Sequence, residues 1–253
     1  MSAGAGVAGR VAALLSSPAI AERRGPSQEA WPFAATEPAD LAALYAASDG
    51  LALADGTTIL RRGEIAAATA WLQQEHALDW PNNLVVLGER DDLVIVLDLD
   101  PGGTRAGGGV LETPTDGLVT FQRIALGAVG YLERRVGVGA GADLAPELLA
   151  REAAARGDLD ALRAALARPA YPGAERQVAY AALILGGLLA AAGDEEAAME
   201  AFERSAAARV QAAPRGAEGL ERAAAYRAAA AAAREAGASA VAERCAAAAA
   251  RRG

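Results

Sequence analysis

The chain has 253 residues, of which 53% are hydrophobic but only 4% aromatic, so its interior must be built mainly from Ala, Leu and Val, and close helix approach must replace bulk. The net charge is −8 and every Lys/Arg position is arginine; an acidic surface repels phosphate backbones and anionic lipid, which argues against direct nucleic-acid or membrane-surface binding. One cysteine, Cys245, excludes an internal disulfide and any cysteine-based zinc site, and fits a reducing, cytoplasmic setting.

From the start of the chain, residues 7–17 are expected to form a short helix with Val11, Leu14 and Leu15 on one face. Neither its flanks nor its apolar length fit a signal peptide. A polar Gly/Pro-containing stretch follows through Glu22, Arg23, Arg24, Gly25 and Pro26. Thr36 reads as an N-cap, with Glu37 and Pro38 in the first turn, Leu41, Leu44 and Tyr45 as the buried stripe, and Asp49-Gly50 as the stop. Two short strands, 51–53 and 57–60, flank the hairpin signature Ala54-Asp55-Gly56. Gly63-Glu64-Ile65 opens a second helix that runs through Trp71 and Leu72 to near His76.

The clearest strands are 84–87 and 93–99, joined by the turn Arg90-Asp91-Asp92. On the second, Val94, Val96 and Asp98 fall on one face and Leu93, Ile95, Leu97 and Leu99 on the other. After a glycine-rich loop at 101–109, residues 110–113 and 118–121 read as further short strands, and a helix from Ile124 to about Val136 closes the region with Leu126, Val129 and Leu132 inward. These segments are too short for parallel βαβ units, so the expectation is an α+β domain: an antiparallel sheet with flanking helices.

Here the residues reach a family resemblance. The run Thr36-Glu37-Pro38-Ala39-Asp40-Leu41 through Tyr45, followed by Ser48-Asp49-Gly50-Leu51, resembles the helix-to-"nGl" segment of the SMI1/KNR4 (SUKH) superfamily. The Gly63-Glu64-Ile65 helix start is similar to that family's Glu-Ile step, residues 84–88 with 93–98 resemble its central hairpin, and 124–132 its closing helix. The resemblance spans about residues 7–136, and the chain lacks the aromatic residues often found in the family's strands. It implies a domain over 1–138 that works by binding protein. In bacteria such domains often serve as immunity proteins against secreted polymorphic toxins, many of them nucleases with basic clefts.

A glycine-rich hinge at 137–141 separates this region from one of different character. Residues 1–140 hold 17 acidic side chains against 10 arginines, whereas 141–253 hold 15 against 14. Over 142–253 helices are expected in pairs: 144–156 with 159–167, 175–192 with 195–212, and 217–236 with 239–251. At Gly157-Asp158 and Gly193-Asp194 glycine takes the left-handed position that ends one helix and aspartate caps the next, while Gly237 ends the fifth helix with no aspartate after it. The apolar run 178–192 contains two glycines and reads as a buried helix, not a membrane span.

The middle pair resembles a tetratricopeptide repeat (TPR). Leu185-Gly186, Leu189, Gly193-Asp194, Ala198 and Phe202 occupy the family's packing positions in order, with Ser205 in place of the usual alanine and Pro214 displaced from the expected proline position near Val210. The three glycine breaks are 36 and 44 residues apart, near the repeat length of about 34. The resemblance implies an all-α, TPR-like arrangement of helical hairpins; a plain helical bundle is the alternative.

Catalytic chemistry is not legible. His76 is the only histidine, and no Ser or Cys lies in a recognisable nucleophile elbow. Asp91-Asp92 and Asp98-x-Asp100 lack the spacing of an EF-hand, and the glycine loop lacks the lysine of a phosphate-binding loop and leads into a strand. The expectation is therefore no catalytic residue, no cofactor and no metal: a non-enzymatic binder whose candidate contact residues are Trp80, Asp91, Asp92, Asp98 and Asp100. An immunity-type role against a basic toxin or nuclease is the first expectation. A cytoplasmic adaptor that joins partners through the helical repeats is the alternative.

Overall fold

A computed structural model of the protein describes residues 6–75, 81, 83–99, 109–115, 121–139, 144–168 and 174–251. The chain divides into two compact units, Met1–Leu144 and Ala145–Gly253. The described elements of the first unit run α1 (Val7–Leu15), β1 (Ile20–Arg23), α2 (Ala39–Ala47), β2 (Leu51–Leu53), β3 (Thr58–Ile59), α3 (Ile65–Glu75), β4 (Leu84–Arg90), β5 (Leu93–Asp98), β6 (Gly109–Pro114), β7 (Gln122–Ala125) and α4 (Ala128–Val136). The seven strands form one sheet in strict chain order, and each pairs antiparallel with the next. The architecture is α+β.

The sheet is a meander centred on β4 and β5. Val94 to Asp98 are buried in succession, because this strand has neighbours on both edges and cover on both faces. Helices α1, α2 and α4 pack on one another, with α4 against β6 and β7, while α3 packs on β4. Leu14, Leu41, Leu44, Tyr45, Ile95 and Tyr131 are among the deepest side chains. Between Val86 and Gly88 the β4 register shifts, and a Cβ on Gly88 would sit 2.0 Å from the carbonyl oxygen of Thr58. Only glycine lets β3 and β4 approach this closely.

Several local expectations are corrected. Helix α2 begins at Ala39 behind Pro38, with no side-chain cap, so Thr36 is not its N-cap. Glu37 instead forms an ion pair with Arg62, whose guanidinium also lies over the Tyr45 ring at 5.8 Å. The helix ends at Ala47 with an extended Ser48, so Gly50 is not its left-handed cap. Gly50 takes φ +82° at the start of β2, where a Cβ would meet the Ile59 carbonyl oxygen at 2.9 Å. Strand β1 was not foreseen: it is a sheet edge whose Ala21, Glu22 and Arg23 are exposed, so it carries no apolar alternation. Residues 122–125 are a strand, not the opening of a helix, and α4 starts three residues later behind Gly127. Of the strand expected at 118–121, residues 118–120 lie outside the described residues and 121 is irregular. His76 and 101–108 of the glycine-rich loop also lie outside them.

The second unit holds α5 (Pro146–Arg156), α6 (Leu159–Leu166), α7 (Glu175–Ala191), α8 (Glu195–Gln211), α9 (Glu218–Glu235) and α10 (Ser239–Ala250); the most extensive packing is α7–α8 and α9–α10, and α8 packs on α9 as extensively as α5 on α6. The expected turn chemistry is present. Gly157 and Gly193 have φ +66° and +80°, Asp158 accepts from the Ala161 N–H at 3.0 Å, and Asp194 from the Ala197 N–H at 3.2 Å. Gly237 has φ +75° and no side-chain cap follows it. Helix α5 starts at Pro146 and not at Leu144, which forms an isolated bridge with Ala125.

The core of this unit is alanine-rich and depends on close approach. Gly186 of α7 faces Phe202 of α8 so tightly that a Cβ would lie 2.4 Å from the ring. The Ser205 hydroxyl donates to the Ala179 carbonyl at 2.7 Å, which satisfies this buried polar side chain between α7 and α8.

Candidate functional site

In an up-and-down meander, alternate turns emerge at the same end. The β2–β3 turn (Ala54-Asp55-Gly56) and the two-residue β4–β5 turn (Asp91-Asp92) therefore share one end of the sheet, and the long connections holding α2 and α3 share the other. Asp91 takes φ +50°, a left-handed conformation that aspartate tolerates better than most side chains. Both Asp91 and Asp92 are exposed. A carboxylate oxygen of Asp91 lies 3.7 Å from the Cβ position of Gly56, so the two turns lie side by side.

Asp55 completes this edge. Its carboxylate accepts from the Thr57 N–H at 3.0 Å and pairs with Arg135 of α4. Burial alone would raise the Asp55 carboxyl, yet the hydrogen bonds from Thr57 and the Arg135 charge hold it below the usual carboxylate range. Beneath the turns, Arg90 Nη2 lies 3.1 Å from Glu112 Oε1, and the Tyr131 hydroxyl donates to the same oxygen at 2.9 Å. Burial, reinforced by the Glu112 charge, pushes the Tyr131 hydroxyl well above the ordinary phenol value. The acidic turns are thus carried on a fixed polar network that joins β4, β6 and α4.

The residues expected to form one contact surface are not gathered together. Asp91 and Asp92 are neighbours on the exposed turn. Asp98 lies at the far end of β5, about 20 Å away at strand rise, where it is only 3% exposed and accepts a hydrogen bond from the Asn83 amide. A carboxylate buried and bonded in this way serves the strand ends and presents no charge to a partner. Trp80 and Asp100 lie outside the described residues. Asp55 was read only as part of a hairpin. Turn chemistry marks its position, but nothing local reveals that a turn 36 residues further on lies beside it.

Concavities among the described residues include one in each unit. In the first unit, about 320 Å³ lies between α3 and residues 33–35, bordered by Thr69, Asn83 and Leu99. In the second unit, about 420 Å³ lies between α7, α9 and the C-terminal end of α8. Among the described residues no group of three His, Cys, Asp or Glu side chains could hold a metal ion. No family model matches the chain, and no curated protein or solved structure matches it.

Proposed function

We propose that this chain is a non-enzymatic protein-binding module whose first unit acts as a SUKH-type immunity protein, neutralising a basic polymorphic toxin by direct contact. The observation that carries this reading is the acidic edge itself. Two adjoining turns of a single sheet hold Asp55, Asp91 and Asp92, in the half of the chain that carries most of the net negative charge. Fixed carboxylates can stand where substrate phosphates would stand in a nuclease cleft, and their field speeds encounter with a cationic surface. The sequence resemblance to the SUKH superfamily supports the same reading. Among the described residues no helix is long and apolar enough to cross a membrane.

The test is capture from the native cytoplasm, followed by kinetics on the captured partner. A basic, growth-inhibiting protein released by salt, and rendered harmless by co-expression, is the expected result. The double substitution Asp91→Asn/Asp92→Asn should slow association on the order of tenfold at low salt and change dissociation little. Asparagine tolerates the left-handed backbone at position 91, so the turn survives. Association that is equally fast in the variant would remove the acidic edge from the interface.

A second reading is a cytoplasmic adaptor, favoured by the six-helix unit. Capture of a stable complex that depends on residues 145–253 and ignores the Asp91/Asp92 substitutions would select it.

A further inference from the structure

The cleft in the second unit has a chemistry distinct from that of the acidic edge. Further along α7 and α9 the two helices nearly touch, because Gly187 has no side chain; a Cβ there would sit 3.8 Å from that of Ala232. Toward their N-terminal ends a cleft of about 420 Å³ opens between them, within the range of about 300–1,000 Å³ typical of small-molecule sites. The lining includes Arg176, Tyr180 and Leu183 of α7 and Ala225 and Ala228 of α9, with the half-exposed Arg209 of α8 beside them. The alanines on α9 are what leave the room.

The polar groups of this lining are unbalanced. Arg209 Nε donates to Glu221 at 3.0 Å, so the one carboxylate among the described lining residues is already engaged. Arg176 is exposed and, among the described residues, makes no hydrogen bond or ion pair. Tyr180 is 51% exposed, a large aromatic surface left open to water at the mouth. Ser205 is spent on the Ala179 carbonyl, and the Pro214 carbonyl accepts from the Ala217 N–H, while Ala212 and Ala213 bring backbone from just beyond the C-terminal end of α8. Two guanidiniums against one glutamate give a local positive balance in a chain whose net charge is −8. The cleft thus offers guanidinium donors beside apolar surface. A carboxylate on an apolar body matches these donors and this surface.

We propose that this cleft binds a small amphipathic carboxylate. Its anionic head sits on Arg176 and Arg209, and its apolar body lies over the Tyr180 ring and against Ala225 and Ala228. The inference is independent of the toxin-binding reading, since it uses no residue of the acidic edge.

Isothermal titration of the full chain with decanoate tests it, with decanol and a short acetylated peptide ending in a free leucine carboxylate as comparators. Saturable binding of one decanoate per chain is expected, with decanol weaker by about tenfold or more, the worth of one charge-assisted contact. Arg176→Gln, at an exposed position, should weaken decanoate on the order of tenfold, and Ala228→Leu should abolish binding by filling the cleft while the helical circular dichroism is unchanged. If Ala228→Leu disturbs folding, the Arg176→Gln result decides. No saturable binding, equal affinity for decanol, indifference to Arg176→Gln, or tighter binding of the peptide than of decanoate would each overturn the proposal.

Discussion

At the scale of single residues, this protein uses glycine to obtain packing that its small side chains cannot supply by bulk. Gly186 is the sharpest case, because the Phe202 ring occupies the space a methyl group would need and is itself only 1% exposed. Gly186→Ala should therefore destabilise the second unit by about 1–3 kcal/mol, the usual cost of overpacking a tight interior. Denaturant unfolding of Gly186→Ala, Phe202→Leu and the double variant measures this. The double variant should lose less than the sum of the two single changes, and strict additivity would show that the ring and the glycine do not share a constraint. The tetratricopeptide resemblance places Gly186 and Phe202, 16 residues apart, among its small and large packing positions, and only the structure shows that these two face each other.

At the scale of elements, helix termini divide into those solved locally and those solved from elsewhere. Asp158 and Asp194 cap the helices they begin, so both were legible from the residues alone. Helix α4 follows Gly127, which has no side chain to cap with, and receives its bond from another helix: Asp40 of α2 accepts from the Val129 N–H at 3.1 Å. A carboxylate there also meets the positive end of the α4 dipole. Asp40→Ala should cost about 1 kcal/mol by thermal or urea unfolding, and Asp40→Asn clearly less, since the amide oxygen still accepts the bond. Equal losses in the two variants would assign the effect to charge and not to capping. The same division explains the missed β7. Residues 122–125 have no β-branched run to announce a strand, and only pairing with β6 makes them one.

At the scale of the whole molecule, each of the two units buries ionisable groups, Glu147 and Cys245 in the second among them. The first buries ionisable groups in networks, with Tyr45 beneath Arg62 and Glu37, and Tyr131 donating to Glu112. Burial, together with the Asp49 and Glu37 charges, raises Tyr45 as burial and Glu112 raise Tyr131. Their stabilising contribution is complete below the free phenol value of about 10 and is lost as the pH climbs from there toward their folded values, because the unfolded chain gives up these protons first. Alkaline titration followed by tyrosinate absorbance and circular dichroism should therefore show loss of β structure coupled to ionisation of the buried tyrosines. Tyr131→Phe should cost about 1 kcal/mol at neutral pH, through the lost bond to Glu112, and should make stability less steeply dependent on pH above 10. An unchanged pH slope would mean that Tyr131 does not report on folding.

What the residues alone determined was the grammar that operates over a few positions. The paired helices with glycine ends and aspartate caps, the β4–β5 hairpin, the acid-rich first half and the antiparallel α+β class all follow from local turn chemistry and periodicity, which are properties of adjacent side chains. The tertiary structure decided the rest, because sheet order and helix packing set distances between residues far apart in the chain. It put Asp55 beside Asp91, withdrew Asp98 into the interior, sent Asp40 to cap a helix 89 positions away, and left between α7 and α9 a cleft whose donors no local pattern could have counted.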